Sequence, residues 1–185
     1  MREKIKKIQL KRLLVFFGII VALGLGIRIG LGCMIQVDGV SMEPTLNNAD
    51  IVWVDKQSFR KQSPERNDIV VVNTKVNGKT KQYIKRVIGL PGEKVKIKKG
   101  IVYINGKPLE EITTFPLIAD GGMARNTILL DADSYFLLGD IRNNSKDSRN
   151  VELGVVKKTQ FQGKVKLRIF PIQKLGKISI VDGQS

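Results

Sequence analysis

The 185-residue chain contains no histidine and one cysteine, Cys33. Zinc and haem sites of the usual kinds depend on these ligands, so such sites are nearly excluded. Acidic calcium loops of the D-x-D-x-D-G type are also missing. The sequence therefore predicts a protein without a metal or other cofactor. The absence of histidine also means that a serine hydrolase built on this chain needs a different base.

The chain has few acidic residues for its number of basic ones, 17 against 32, which gives a net charge of +15. Residues 1–35 carry seven basic side chains against Glu3 alone, and the remaining chain carries +9. A basic balance favours an anionic partner such as lipid head groups or nucleic acid. Because the chain lacks an arginine-rich arm, a zinc knuckle and an aromatic ribonucleoprotein motif, we predict membrane lipid and not nucleic acid.

The longest apolar segment, residues 13–35, contains one charged side chain, Arg28. As a helix it would be about 34 Å long, which is enough to cross a hydrocarbon core of about 30 Å. The guanidinium of Arg28 can snorkel to the nearby interface. Because basic residues precede the segment, the positive-inside rule predicts a cytoplasmic segment 1–12 and an extracytoplasmic domain 36–185. A cleaved secretory signal is the alternative interpretation.

Beyond the apolar segment, short runs rich in β-branched and aromatic residues alternate with turns. Seven runs predict strands: Ile51–Val54, Ile69–Asn73, Gln82–Ile88, Val95–Ile97, Ile101–Ile104, Tyr135–Leu138 and Lys164–Phe170. Lys99-Gly100 and Asn105-Gly106 predict tight turns. Since no long helical periodicity occurs outside the predicted anchor, the predicted fold class is mostly β with one N-terminal transmembrane helix.

Two segments offer groups for nucleophilic catalysis. Ser41 lies in a turn bounded by glycine and proline, six residues after the predicted anchor, and Lys85 lies within an apolar strand. A serine hydroxyl is a weak nucleophile until a neighbouring base takes its proton. Lysine can be that base if burial lowers its pKa from about 10.4 to roughly 7–8. A lone serine or lysine is usually a surface residue, so the hypothesis depends on their surroundings.

Three segments follow one another along the chain, residues 41–45 (SMEPT), 83–93 (YIKRVIGLPGE) and 139–149 (GDIRNNSKDSR). In this order they resemble the signature boxes of bacterial type I signal peptidases (leader peptidases), especially the short single-anchor members. The resemblance covers nearly the whole chain. It implies a membrane-anchored serine endopeptidase that removes signal peptides from exported precursors after Ala-x-Ala-like sites. It also implies a β-rich catalytic core with a small inserted β region, roughly residues 93–133.

The same resemblance implies roles for individual residues. Ser41 corresponds to the nucleophile and Lys85 to the general base of a Ser-Lys dyad. Ser145 matches a serine whose hydroxyl orients the lysine amine. Asp147 and Arg149 match a charged pair that supports the site without performing chemistry.

Further implied features concern the oxyanion and the substrate. The backbone N–H of Ser41 is an implied oxyanion donor, while Gly39 stands where some members carry a second, hydroxyl donor. Ile141 and Asn143 also depart from the family pattern, and we interpret them as altered packing and hydrogen bonding. The residues implied to line shallow apolar pockets for small substrate side chains are Ile35, Val37, Met42, Leu46, Tyr83 and Ile84.

Three other interpretations stay open. A membrane peptidase dedicated to one substrate would share the serine and the lysine. A self-cleaving repressor-type protein is disfavoured by the predicted anchor and by the lack of a DNA-binding region before Ser41. A non-catalytic tethered β domain could bind anionic lipid or wall polymer through its net charge of +9. Only the enzymes require Ser41 Oγ and Lys85 Nζ to lie within or close to hydrogen-bond reach.

Overall fold

The computed structural model describes residues 12–21, 24, 32–111 and 115–178. Residues 12–21 are helical. Within the described ranges, no helix combines the length and the apolar character that crossing a membrane requires. Most of the predicted cytoplasmic segment and part of the predicted anchor lie outside the described residues.

The predicted anchor extends too far. Its last four residues, 32–35, belong to strand β1 (Gly32–Gln36). This strand pairs antiparallel with β2 (Ile51–Asp55), from Gly32 opposite Asp55 to Gln36 opposite Ile51. The apolar character of Cys33 and Ile35 therefore reflects packing within the protein, because both side chains contact a buried hydrophobic cluster.

The larger sheet contains eight strands of the described chain. Besides β1 and β2, they are β3 (Ile69–Val76), β4 (Lys79–Gly89), β9 (Ser134–Leu138), β10 (Val156–Lys157), β11 (Phe161–Phe170) and β12 (Gly176–Lys177). Their order is β1-β2-β11-β3-β4-β9-β10, with β12 paired to β11. Residues 69–72 of β3 are all buried, so both faces of this strand are covered.

A second sheet is formed by β5 (Lys94–Lys98), β6 (Ile101–Ile104), β7 (Lys107–Pro108) and β8 (Ile128–Leu129). Its order is β7-β6-β5-β8, and all four strands lie within the predicted insertion, residues 93–133. Lys99 and Gly100 join β5 to β6 with φ values of 51° and 78°. Positive φ at both central residues is typical of the tight hairpin turn predicted there.

Three clusters of buried apolar side chains form the core. One cluster lies between the sheets, where Val95 and Ile97 of the smaller sheet pack with Ile88, Phe136 and Leu138 of the larger one. The other two clusters contain alternate residues of β3, with Val71 in one and Val70 and Val72 in the other. Lys85 on β4 is paired with Val70, so the lysine backbone lies in the centre of the larger sheet.

All seven predicted strands are present, most of them longer than predicted. The sequence analysis missed β1, which was assigned to the anchor, and the two-residue strands β7, β8, β10 and β12. Between β2 and β3 the chain forms a one-turn helix, Ser58–Lys61. Two residues are too few for an alternating pattern, so strands of this length have no periodic signal.

Candidate active site

Ser41 begins a turn that is fixed from both sides. The N–H of Leu46 donates to the carbonyl of Met42 at 2.8 Å, and both side chains are buried in the core. The N–H of Ile141 donates to the carbonyl of Ser41 at 3.1 Å. Gly39 has a φ of 91°, a region that favours glycine, and it redirects the chain into the turn. These contacts hold the half-buried Ser41 side chain in one place.

The Lys85 side chain extends from strand β4 to Ser41. Its Nζ donates a hydrogen bond to Ser41 Oγ at 2.6 Å. Only 3% of the Lys85 surface is exposed. The two side chains therefore lie within the hydrogen-bond distance that the sequence analysis predicted.

Burial lowers the pKa of the Lys85 amine to about 8, while the negative charges of Asp147 and Asp140 oppose this shift. The physical cause is the loss of hydration of the ammonium ion. At a pH near 8 a substantial fraction of the amine is neutral and carries a free electron pair. A neutral amine at this distance can accept the proton of the Ser41 hydroxyl.

Lys85→Met is expected to raise the free energy of unfolding by about 3 kcal/mol at pH 7. The reason is that methionine has a similar volume but carries no charge, so the variant does not bury an ammonium ion. The folded-state pKa of about 8 lies below the ordinary value of 10.5. The unfolded chain thus binds more protons between these values, so wild-type stability rises with pH relative to the variant. Urea unfolding of the wild type and of Lys85→Met at pH 7 and pH 10 measures the difference in their free energies of unfolding. A difference that stays constant between the two pH values would contradict it.

Arg86 points to the other side of the strand and forms a buried ion pair. Its Nε and Nη2 donate to the two carboxylate oxygens of Asp140 at 2.8 and 2.6 Å. The hydroxyl of Thr45 donates to Asp140 at 2.5 Å. This pair joins strand β4, the Ser41 turn and the segment after β9. The sequence analysis missed it, although all three residues lie in the boxes that carry the resemblance.

Asp147 and Arg149 form another buried ion pair. Arg149 Nε and Nη2 donate to Asp147 Oδ1 and Oδ2, both at 2.8 Å. Asp147 also accepts from the N–H of Gly139 at 3.2 Å, and Arg149 donates to the carbonyl of Arg142 at 2.5 Å. The predicted charged pair thus connects residues 139–149, the segment after β9, by hydrogen bonds within that segment.

Ser145 does not form the predicted hydrogen bond with Lys85. Its Oγ is buried and has no hydrogen-bond partner among the described residues. The side chain packs against Gly139, where an added Cβ would collide with it and would lie 2.7 Å from the Ser41 carbonyl oxygen. No hydrogen bond in the described part of the chain supports the prediction that Ser145 orients Lys85. The Lys85 amine instead donates to Ser41 Oγ.

Ser41 and Lys85 lie in a cleft of about 590 Å³. Five of the six predicted pocket residues line it, namely Ile35, Val37, Met42, Tyr83 and Ile84. The sixth, Leu46, does not line it and is fully buried in the core, because the turn folds its side chain inward. The sequence analysis missed polar lining residues: Gln36, Asp38, Gln82, Asn144 and Lys146. No group of metal-binding side chains occurs in the part of the chain that the structure describes.

The positions that depart from the family pattern have defined contacts. The N–H of Gly39 donates to Asn48 Oδ1 at 2.9 Å, and this residue brings no hydroxyl to the cleft. Asn143 accepts from the N–H of Ala119 at 2.8 Å and donates to the carbonyl of Leu117 at 3.0 Å. The Asn143 side chain is therefore hydrogen-bonded to the backbone of the surface loop at residues 117–119, and it forms no hydrogen bond with Ser41 or Lys85.

Comparison with known proteins identifies the family. The family described as signal peptidase, peptidase S26, matches residues 10–170. Signal peptidase I S of Bacillus subtilis (strain 168) is 37% identical over 171 residues, 86% of this chain and 88% of that protein. A probable signal peptidase I-2 of Synechocystis sp. is 37% identical over 160 residues, 84% of this chain and 71% of that protein.

Among solved structures, a signal peptidase I from Enterococcus faecalis V583 is 29% identical, with a TM-score of 0.45. The similarity covers 56% of this chain and 97% of that one. The family match and the two sequence relatives each cover most of the chain, and both relatives are more than a third identical to it. The chain therefore belongs to the signal peptidase family, peptidase S26, and is a serine endopeptidase of the signal peptidase I type.

Proposed function

We propose that this protein is a membrane-anchored signal peptidase I in which Ser41 is the nucleophile and Lys85 the general base. The observation that carries the proposal is the 2.6 Å hydrogen bond between Lys85 Nζ and Ser41 Oγ in the cleft. A serine that contacts a desolvated lysine has the two groups that hydrolysis of a peptide bond needs.

The proposed reaction has two halves. The neutral Lys85 amine takes the proton of the Ser41 hydroxyl while Oγ attacks the carbonyl carbon of the scissile bond. The Lys85 ammonium then gives this proton to the leaving amine, and an ester remains on Ser41. Lys85 then takes a proton from a water molecule, which attacks the ester carbonyl. The bond to Ser41 Oγ breaks, the product leaves as a carboxylic acid, and the Lys85 ammonium returns the proton to Oγ. The backbone N–H of Ser41 stabilises the oxyanion in both halves.

The two carboxylates that act on the charge of Lys85, Asp140 and Asp147, are each paired with an arginine. Arg86 neutralises Asp140, and Arg149 neutralises Asp147, so both carboxylates have charge-assisted partners. Desolvation outweighs their remaining influence on Lys85, since the net shift of its pKa is downward. In our proposal, Lys85 is therefore the base that takes the proton of Ser41 Oγ.

The proposed substrates are exported precursors with small side chains before the scissile bond. The apolar lining of the cleft by Ile35, Met42 and Ile84 suits alanine side chains. Larger side chains would be rejected by steric exclusion.

We also propose that the chain is anchored by the apolar residues before β1, with the N-terminus in the cytoplasm and the catalytic domain outside. Ser41 follows the start of β1 by nine residues, so an extended chain keeps it within about 32 Å of that point. A substrate held in the membrane by its own apolar helix would present its cleavage site at a similar distance from the membrane surface.

The proposal is tested with the full-length protein in detergent micelles and a panel of unrelated precursors that carry Ala-x-Ala sites. The wild type is expected to cut several of them after the second alanine, as mapped by mass spectrometry, and Ser41→Ala is expected to cut none. Cleavage of a single precursor would favour a peptidase dedicated to one substrate. Equal processing by wild type and Ser41→Ala would overturn the proposal.

The pH dependence of cleavage follows from Lys85. Its pKa of about 8 means that kcat/KM is expected to rise nearly tenfold per pH unit below pH 7 and to level off above pH 9. The sign is fixed because only the neutral amine accepts a proton. Rates measured between pH 5.5 and 9.5 check this expectation. A profile that is flat across this range would contradict a lysine base.

A further inference from the structure

Glu152 receives three side-chain donors at the edge of the cleft. Lys81 Nζ and the Tyr83 hydroxyl donate to its Oε1 at 2.7 and 2.6 Å, and Lys146 Nζ donates to its Oε2 at 3.3 Å. Lys81 and Tyr83 lie on β4, whereas Lys146 lies in the segment after β9. One carboxylate therefore connects two separate elements of the chain.

Two of these donors line the proposed substrate cleft, Tyr83 and Lys146. The Tyr83 ring also lies beside the base, with its centroid 5.9 Å from Lys85 Nζ. The hydrogen bond to Glu152 fixes the far end of this ring. A tyrosine held at both ends cannot swing away from the cleft when a bulky side chain approaches it.

The turn that carries Glu152 is itself fixed. The N–H of Gly154 donates to the carbonyl of Asn150 at 2.8 Å, and the N–H of Asn150 donates to the carbonyl of Asp147 at 2.9 Å. Asp147 belongs to the buried ion pair with Arg149. Glu152 is thus a rigid support for the tyrosine, since its turn continues directly from the segment beneath the active site.

The charge states of the partners keep the contact intact over the working pH range. Hydrogen bonds from Lys81, Tyr83 and Lys146 lower the pKa of Glu152 to about 2. Desolvation and the Glu152 carboxylate raise the pKa of Tyr83 to about 12. A protonated phenol therefore faces an ionised carboxylate at every pH at which cleavage would be measured.

We propose that Glu152 is a positioning residue that holds Tyr83 as a rigid wall of the cleft and thereby enforces the preference for small substrate side chains. This inference rests on the proposed function. Glu152 acts through Tyr83 and touches neither Ser41 nor Lys85 by a hydrogen bond. Without its carboxylate the ring gains freedom, and the cleft accepts side chains that the wild type excludes.

The test compares kcat/KM for peptides that carry alanine, valine or leucine at each of the two alanine positions of an Ala-x-Ala site. One extra methylene group is commonly discriminated by about 10- to 200-fold. The wild type should therefore prefer alanine measurably over valine and leucine at the position that Tyr83 borders, and a loss of this preference can be observed. Glu152→Ala is expected to reduce the alanine preference about tenfold. Glu152→Gln, which retains an acceptor for the phenol, is expected to recover part of it.

Tyr83→Phe retains the ring and removes its hydrogen bond, so it is expected to match Glu152→Ala. The double variant is expected to be no less selective than either single variant, because both changes remove the same contact. Lys166→Gln is the matched control, since it breaks a 2.7 Å ion pair with Asp55 away from the cleft lining. The control is expected to keep wild-type selectivity.

Wild-type selectivity in both Glu152→Ala and Tyr83→Phe would overturn the inference, and so would losses that multiply in the double variant. If Glu152→Ala fails to fold, Glu152→Gln and Tyr83→Phe still give a decision, with thermal unfolding of each variant as the check. A wild type that cuts none of the peptides would instead count against the proposed function. The two failures are therefore distinguishable.

Discussion

Ser41→Ala, Lys85→Met and the double variant are all expected to fall to the same residual rate of cleavage. Removal of a nucleophile or its base should cost roughly a thousandfold or more in kcat, since general-base catalysis alone contributes about 10²–10⁴-fold. The losses should not multiply, because the serine and the lysine act as one unit in the proposed mechanism. Single-turnover rates on a precursor with an Ala-x-Ala site measure this.

If Lys85→Met shows the expected gain in stability, misfolding is excluded as the reason for its loss of activity. Lys79→Met is a matched control, because Lys79 is an exposed lysine of the same strand, and this variant should cleave at the wild-type rate. A double variant far slower than either single variant would contradict a shared step. A Lys85→Met protein with near wild-type activity would remove the lysine from the mechanism altogether.

Asp140→Ala is expected to cause the largest loss of stability. Asp140 and Arg86 are 1% exposed, and truncating the carboxylate leaves the guanidinium buried without its counter-charge. Breaking a buried pair in this way costs about 3–5 kcal/mol. For a chain of this size, the midpoint of thermal unfolding should fall by roughly 10 °C. Calorimetry of the purified protein checks the shift.

Two comparisons show whether the loss comes from the unpaired charge. Arg125→Gln breaks an exposed ion pair with Asp120 and should leave the midpoint almost unchanged. Replacing both partners, by Arg86→Met with Asp140→Leu, should recover part of the stability because no buried charge remains. If Asp140→Ala unfolds at the wild-type temperature, the pair does not stabilise the Ser41 turn as the structure indicates.

The strands were predictable because their signal is local. The run at Ile69–Asn73 is almost wholly apolar, as expected of a strand covered on both faces. The end of the anchor was not predictable in the same way. Residues 32–35 are as apolar as those before them, and only the pairing with Ile51–Asp55 makes them a strand. Hydrophobicity alone does not distinguish a membrane from a protein core.

The site was predictable where the family motifs name residues and less so where contacts are long-range. Ser41 and Lys85 meet as predicted, although 44 positions separate them. The roles of Glu152 and Asp140 were missed, because their partners are 69 and 54 positions away. Leu46 was misplaced because its residue type suits a pocket as well as a core. Which of the two it occupies depends on the direction in which the turn folds.

The most direct test is a titration of the Lys85 amine in the full-length protein in micelles, by NMR of lysine labelled at its side chain. Comparison with Lys85→Arg assigns the signal. We expect a pKa of about 8 for this amine, well below the exposed lysines of the same protein. An amine that stays cationic to about pH 10, like an ordinary lysine, would contradict its action as the base for Ser41.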